Sequence, residues 1–250
     1  QTEVRREYET DLRQNVVSLL LDIFEQQPDA GVRGEVVDVL DNFMLHMLTG
    51  GQFNNVAFLI REAQVASQRA RELQAEPKER LMGLPARLSS PDALTQMLQS
   101  LDESSALPPP DQLLELFDQL RGTALATVLE WLGRLQSPRL RPLLEQAATR
   151  LASQNTADLV KLIASPIRPV ALEASRRAGA LKTTAAVAPL SKVLVDGDAE
   201  LRVTAVQALA EIGSPGALQA LERAADDTDR DVRLAAIRAI QVSAYRAALP

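Results

Sequence analysis

The 250-residue chain is 46% hydrophobic and 3% aromatic, enough apolar content for a substantial core and too much for global disorder. It has no cysteine, which excludes disulfides, thiolate catalysis and thiolate metal sites. Its net charge of −6 and pI near 5.0 come without any basic run, so nucleic acid is not expected as a partner.

The charge is uneven. Residues 1–50 hold four Arg against ten Asp plus Glu, while the remaining 200 balance 23 basic against 23 acidic residues. No apolar run approaches the roughly 18–20 residues that cross a bilayer, and no secretory signal pattern is present. A cytoplasmic protein without a membrane partner is the expectation.

In chain order, Val4, Tyr8, Leu12, Val16, Leu20, Ile23 and Phe24 predict one face of a first helix. The PDAG at 28–31 breaks it. A second helix carries Val32, Val36, Leu40, Met44 and Met47 and ends at Gly50-Gly51. A third is predicted over 53–73, with Val56, Leu59, Ile60, Ala63, Ala66 and Ala70 on its apolar side. Mixed charge over 69–80 reads as solvated surface with local ion pairs.

Pro77 and Pro85 are expected to bracket a short helix at 81–84. Ser90-Pro91 has the N-cap and first-position chemistry of a helix start, and that helix presents Leu94, Met97, Leu98 and Leu101. The segment 104–110 ends in three prolines, which cannot continue a helix, and marks a soft domain boundary. Helices resume at 111–120 and 123–135. No segment alternates as a strand does. The fold class predicted is all-α.

From 123 onward a pattern recurs. LRVTAVQALAEIG at 201–213 returns as VRLAAIRAI at 232–240, and VALEASRRAGAL at 170–181 precedes it, each displaced by 31 residues. Stacked, the first apolar position holds Val170, Leu201 and Val232. The next holds Ala174, Ala205 and Ala236, and the last Ala178, Leu209 and Ile240. Positions i, i+4 and i+8 share a helical face, and the central alanine admits a neighbouring helix closely. Leu159, Leu190 and Leu221 repeat at the same spacing, so each unit is a helix, a turn and a second helix. One such pair cannot bury its apolar face alone, and stacked neighbours complete the core. A looser earlier copy, RPLLEQA at 141–147 against RPVALEA at 168–174, is offset by 27.

These residues, with Asp198, Arg202, Ala208, Ile212 and Gly213, then Asp229, Arg233 and Ala239, resemble HEAT-repeat proteins, specifically the short bacterial kind with units near 30 residues. The resemblance is good over 156–245 and loose over 123–154. It implies an α-solenoid whose second helices line a concave face that binds other proteins. The organisation expected is an N-terminal helical region at 1–106 and a Pro-rich turn and connecting helix at 107–122. HEAT-like units follow at 123–154, 155–184, 185–213 and 214–250. Asp198 and Asp229 are expected to cap second helices. Ile167 stands at the equivalent position of the 170 copy, as an exposed apolar turn or packed on a neighbouring loop.

No reactive constellation emerges. The acidic turns at 196–200 and 226–231 lack the Gly and Glu of a calcium loop. His46 is the one histidine, insufficient for a two-histidine metal site, and its expected role is structural or at the surface. Trp131 is expected to pack against a neighbouring helix rather than to recognise a ligand. No phosphate loop is present, so no catalytic residue, metal or cofactor is assigned and an enzyme is not expected.

One constellation suits a binding surface. A helical wheel puts Leu172, Val203 and Leu234 away from the main core face, with Arg176, Gln207 and Arg238 one turn later. An apolar row beside a polar one fits a helix- or peptide-binding groove, and the same row is equally what packing against adjacent repeats requires. The last helix carries Val232, Leu234, Ile237, Ile240, Val242, Tyr245 and Leu249 around its circumference. A capping repeat needs a polar outer side, so a continuing chain, a homo-oligomer or another chain is expected to cover it. The function expected is a non-enzymatic scaffold or adaptor for a protein partner. The alternative is a regulatory or chromophore-lyase-type HEAT-like subunit of a larger enzyme or signalling protein.

Overall fold

A computed structural model describes residues 2–69, 75–104 and 107–248, with side chains over 12–242 of that span. All described regular structure is helical. The helices are α1 (Thr2–Gln26), α2 (Ala30–Thr49), α3 (Phe53–Arg69), α4 (Ala75–Met82), α5 (Leu84–Leu88), α6 (Pro91–Asp102), α7 (Pro110–Asp118) and α8 (Leu125–Arg134). They continue as α9 (Arg141–Gln154), α10 (Thr156–Leu162), α11 (Arg168–Ala180), α12 (Val187–Asp196), α13 (Ala199–Ile212), α14 (Pro215–Ala224) and α15 (Arg230–Ala248). Short 3-10 turns at Gly122–Ala124 and Thr184–Ala186 lead into α8 and α12. The chain divides into two compact units, one of residues 1–124 and 137–147, the other of 125–136 and 148–250.

In the first unit, α1 packs on α2 and α3, α2 on α4 and α6, and α3 on α4 and α7. Val36, Leu40, Met44 and Met47 of α2 are buried as their spacing predicts, as are Val56, Leu59, Ile60, Ala63 and Ala66 of α3, whereas Val32, expected on the same side, is 36% exposed in the first turn of α2. Leu94, Met97, Leu98 and Leu101 of α6 complete that core. Asp29 caps α2, its carboxylate accepting from the Gly31 and Val32 amides at 2.7 and 3.1 Å, which satisfies donors a helix start leaves open. Ser90 stands at the N-cap of α6 without a side-chain bond.

Two expectations are corrected here. The buried side of α1 is Val17, Leu21 and Phe24, whereas Leu12, Val16 and Ile23 are exposed. Apolar residues surround this helix, and their period alone does not say which stripe meets α2 and α3. Val4 and Tyr8 lie outside the described side chains, and the predicted end of α3 with Ala70 falls in the undescribed 70–74. The second correction concerns proline. Pro77 sits inside the first turn of α4 and Pro85 inside that of α5, where the missing N–H has no intrahelical partner to lose. Each opens a helix rather than bracketing one, and Gly83 separates the two.

The second unit repeats one arrangement. α10, α12 and α14 are first helices, and α11, α13 and α15 the second helices packed on them. The second helices form a row, α11 against α13 and α13 against α15, and α8 packs on the other side of α11. Two aligned rows are buried throughout, while Leu201 and Ile240 of the two outer rows are half-buried. Leu159, Leu190 and Leu221 are fully buried, and so are Ala174, Ala205 and Ala236. Small residues set the distance between helices. A Cβ at Gly179 would stand 2.6 Å from the Ala208 Cα, and one at Gly133 would stand 2.6 Å from the Pro169 Cβ.

Asp198 accepts from the Leu201 amide at 2.9 Å, and Asp229 from those of Asp231 and Val232 at 2.8 and 3.2 Å. Both act as the expected caps. Ile167 precedes α11 without a side-chain cap and is 47% exposed, so this turn shows an apolar side chain to solvent.

Candidate functional site

The residues singled out for a binding surface lie on the row of second helices. Arg176 (α11), Gln207 (α13) and Arg238 (α15) are all exposed. The apolar members differ along the row. Leu172 is 7% exposed and therefore buried, Val203 is half-buried, and Leu234 is 38% exposed. α11 has helices on both sides, α8 and α13, so the aligned position sinks into an inter-helix seam there. On α15 the same position faces solvent. The row thus offers a graded surface, mostly polar at α11 and apolar at α15.

Charged neighbours organise the polar row. Glu173 is largely buried, with Arg176 Nη1 at 2.6 Å and Arg177 Nη2 at 3.7 Å from its carboxylate. Arg177 also donates to the Thr149 hydroxyl at 3.0 Å. Arg176 is therefore held in place rather than free to sweep the surface. Exposed Glu200 and Glu211 on α13 and Asp231 on α15 add the opposite sign.

A second set of ion pairs ties consecutive units together at their turns. Arg168 Nε of α11 donates to Asp198 at 2.8 Å and Arg168 also reaches Glu200, both at the start of α13. One unit later, Arg202 Nη2 donates to Asp227 at 3.0 Å and Nη1 to the Gly197 carbonyl at 2.8 Å. The Arg202 Nε is also 3.0 Å from Asp227 but without an aligned hydrogen bond. Arg233 donates to the Asp227 and Thr228 carbonyls at 2.7 and 2.9 Å.

The electrostatics follow. The Arg168 hydrogen bond, aided by the Leu201 amide, holds the Asp198 carboxyl below its ordinary value. Asp227 is pushed up by burial, yet the Asp229 amide and Arg202 outweigh that and leave it lowered. Hydrogen bonds to the charged form favour it. Asp198 in turn raises the Arg168 guanidinium. Arg168 was not singled out from sequence. The signal was there, because it lies 30 residues before Asp198 in a chain of 31-residue period.

The remaining candidates are placed plainly. His46 is exposed near the end of α2, its carbonyl accepting from Thr49 and Gly50. Trp131 is 6% exposed inside α8, and the Arg134 guanidinium lies 4.2 Å from its ring. Its setting is packing plus a cation–π contact. Among the described residues no group of three or more His, Asp or Glu is placed to hold a metal ion, and no helix is long and apolar enough to cross a membrane.

Leu12, Val16 and Ile23 on α1, read as core, are 38 to 62% exposed, and Leu19 on α1 and Val39 on α2, passed over, are 59 and 50% exposed. Ile237 and Val242, named on the circumference of the last helix, are 42 and 51% exposed. Val195 on α12 is 80% exposed.

Comparison with known proteins places part of this chain. Residues 156–241 match the family model described as HEAT repeats. No curated protein matches. Among solved structures, an engineered protein is 19% identical, covering 92% of this chain and 96% of its own at a TM-score of 0.32. Human deoxyhypusine hydroxylase, in complex with glycerol, is 17% identical, covering 95% and 99% at a TM-score of 0.31.

Proposed function

We propose, from the premise that residues 156–241 are HEAT repeats, that this chain is a non-enzymatic scaffold or adaptor that binds a protein partner. The carrying observation is the exposed row Arg176, Gln207 and Arg238 on three directly stacked second helices, bordered by Val203 and Leu234. The row is presented on packed helices rather than on loops, so the surface is pre-organised and little ordering opposes binding. Its mixed charge suits register and partner choice, and the apolar patch toward α15 suits an anchoring side chain.

The test is capture from cells by the tagged chain, read by quantitative mass spectrometry, beside an Arg176→Glu/Gln207→Glu variant. A central interface charge reversal typically weakens binding more than tenfold. The expected result is loss of one protein set from the variant bait, with helical circular dichroism unchanged. Equal capture by both baits rejects this surface. A small-molecule ligand or a chromophore copurifying with the chain would point instead to the lyase-type subunit.

A further inference from the structure

Arg33 is the most deeply buried charged residue among the described ones, at 5% exposed. Its Nε is enclosed without an acceptor, and its guanidinium makes no ion pair with any described residue. Exposed arginines of the same unit show the reverse. Arg61, Arg80 and Arg87 pair with Glu115, Asp38 and Asp41. A guanidinium keeps its charge in proteins, so loss of a proton cannot relieve the burial. Its place in the helix adds to the cost. Arg33 stands in the first turn of α2, a 20-residue helix, where the positive end of the dipole disfavours a cation and favours an anion.

The surroundings of Arg33 supply positive charge and no free carboxylate. Helical side chains lean toward the N-terminus of their helix, which carries the Arg33 stem back toward the start of α2. Arg80 of α4 lies against the same stretch, since a Cβ on Gly34 would stand 3.1 Å from its Nη1. Asp29 is engaged with the Gly31 and Val32 amides, and Asp38 with Arg80. The exposed Glu35 is about 160° round the helix from Arg33. Of the Arg33 nitrogens only Nε is enclosed, which leaves Nη1 and Nη2 as an end-on fork. Such a fork matches two oxygens of a carboxylate or phosphate.

We propose that Arg33, at the first turn of α2, is a binding site for a small oxyanion, a phosphate or carboxylate group held by its terminal N–H fork. The anion offsets both the buried charge and the unfavourable place of a cation at a helix start. Buried polar atoms without partners occur where an ion completes the structure. The site belongs to the first compact unit and the partner surface to the second, so failure of either leaves the other intact.

The experiment is thermal unfolding of the 250-residue chain at constant ionic strength, beside Arg33→Met. Chloride is replaced stepwise by inorganic phosphate in one series and by acetate in another. Anions also stabilise proteins by exclusion from the surface, and the variant supplies that baseline. The expected result is a saturable rise of the wild-type midpoint beyond that of the variant, about 3–6 °C at roughly tenfold excess over Kd. A response to phosphate alone assigns a phosphate-type ligand, a response to acetate alone a carboxylate, and each supports the site. Two results overturn the proposal: no wild-type response to either anion, or an equal rise in wild type and Arg33→Met. Circular dichroism checks that the variant folds. Arg33→Lys keeps the charge and loses the fork, and is expected to need a higher anion concentration for the same rise. An unchanged concentration dependence in that second variant also overturns the proposal.

Discussion

Lys182 and Gly213 are the same position in consecutive repeats, and both adopt positive φ, at 50° and 62°. Each ends a second helix. The Lys182 amide donates to Gly179 and the Thr183 amide to Ala178, at 2.8 and 2.9 Å, a Schellman pattern that calls for a left-handed residue. A non-glycine side chain there is strained by about 1–2 kcal/mol, partly offset by the greater unfolded-state freedom of glycine. Lys182→Gly is therefore expected to stabilise the fold by about 0.5–1 kcal/mol, and Gly213→Ala to destabilise it by about 1 kcal/mol. Urea midpoints at constant slope measure both. Arg33 presents a different strain. It is 5% exposed, and its Nε is buried without a hydrogen-bond partner. Burying a polar group unpaired costs stability, and an apolar side chain of similar length removes that cost. Arg33→Met is expected to raise the melting temperature.

At the scale of the element, the row of second helices depends on small residues where backbones meet. Gly179→Ala would force α11 and α13 apart, since the new Cβ meets the Ala208 backbone at 2.6 Å. Overpacking of this kind costs about 1–3 kcal/mol, more than the helix propensity alanine returns. A lower thermal midpoint with unchanged helical content at 25 °C is the expected outcome. Element starts were legible where the chemistry is local, as at Asp198 and Asp229, whose carboxylates cap their own helices. The buried side of α1 was not. That helix is apolar on more than one stripe, and only α2 and α3 choose among them. Leu172, Val203 and Leu234 make the same point, because one aligned position is buried, half-buried and exposed as its neighbours change.

Across the whole molecule, acid sensitivity is expected to come in part from the inter-unit ion pairs. Asp198 and Asp227 have folded-state pKa values below the ordinary 3.8. Their stabilising contribution is complete above that value and is lost as pH falls through the lower, folded-state one. Chemical-denaturation stability should therefore be nearly level from about pH 7 to 5 as far as these groups are concerned, and fall below about pH 4. Asp227→Asn should flatten that fall and lower stability at neutral pH by roughly 1–3 kcal/mol, since Arg202 loses a charged partner in a largely buried setting. Asp198 and Arg168 are about half exposed, so water screens that pair and its loss should matter less.

The chain by itself determined the all-α class and the 31-residue repeat. Local chemistry specifies both: helical periodicity, helix caps, and alanine wherever a neighbouring helix must come close. It also placed Arg176, Gln207 and Arg238 on an exposed row, because the aligned alanines Ala174, Ala205 and Ala236 mark the opposite, buried side. Tertiary structure alone decided which apolar side chains remain uncovered and that α8 flanks α11. The reason is physical. Burial belongs to pairs of surfaces, and a side chain's own sequence neighbours do not say which distant helix will meet it.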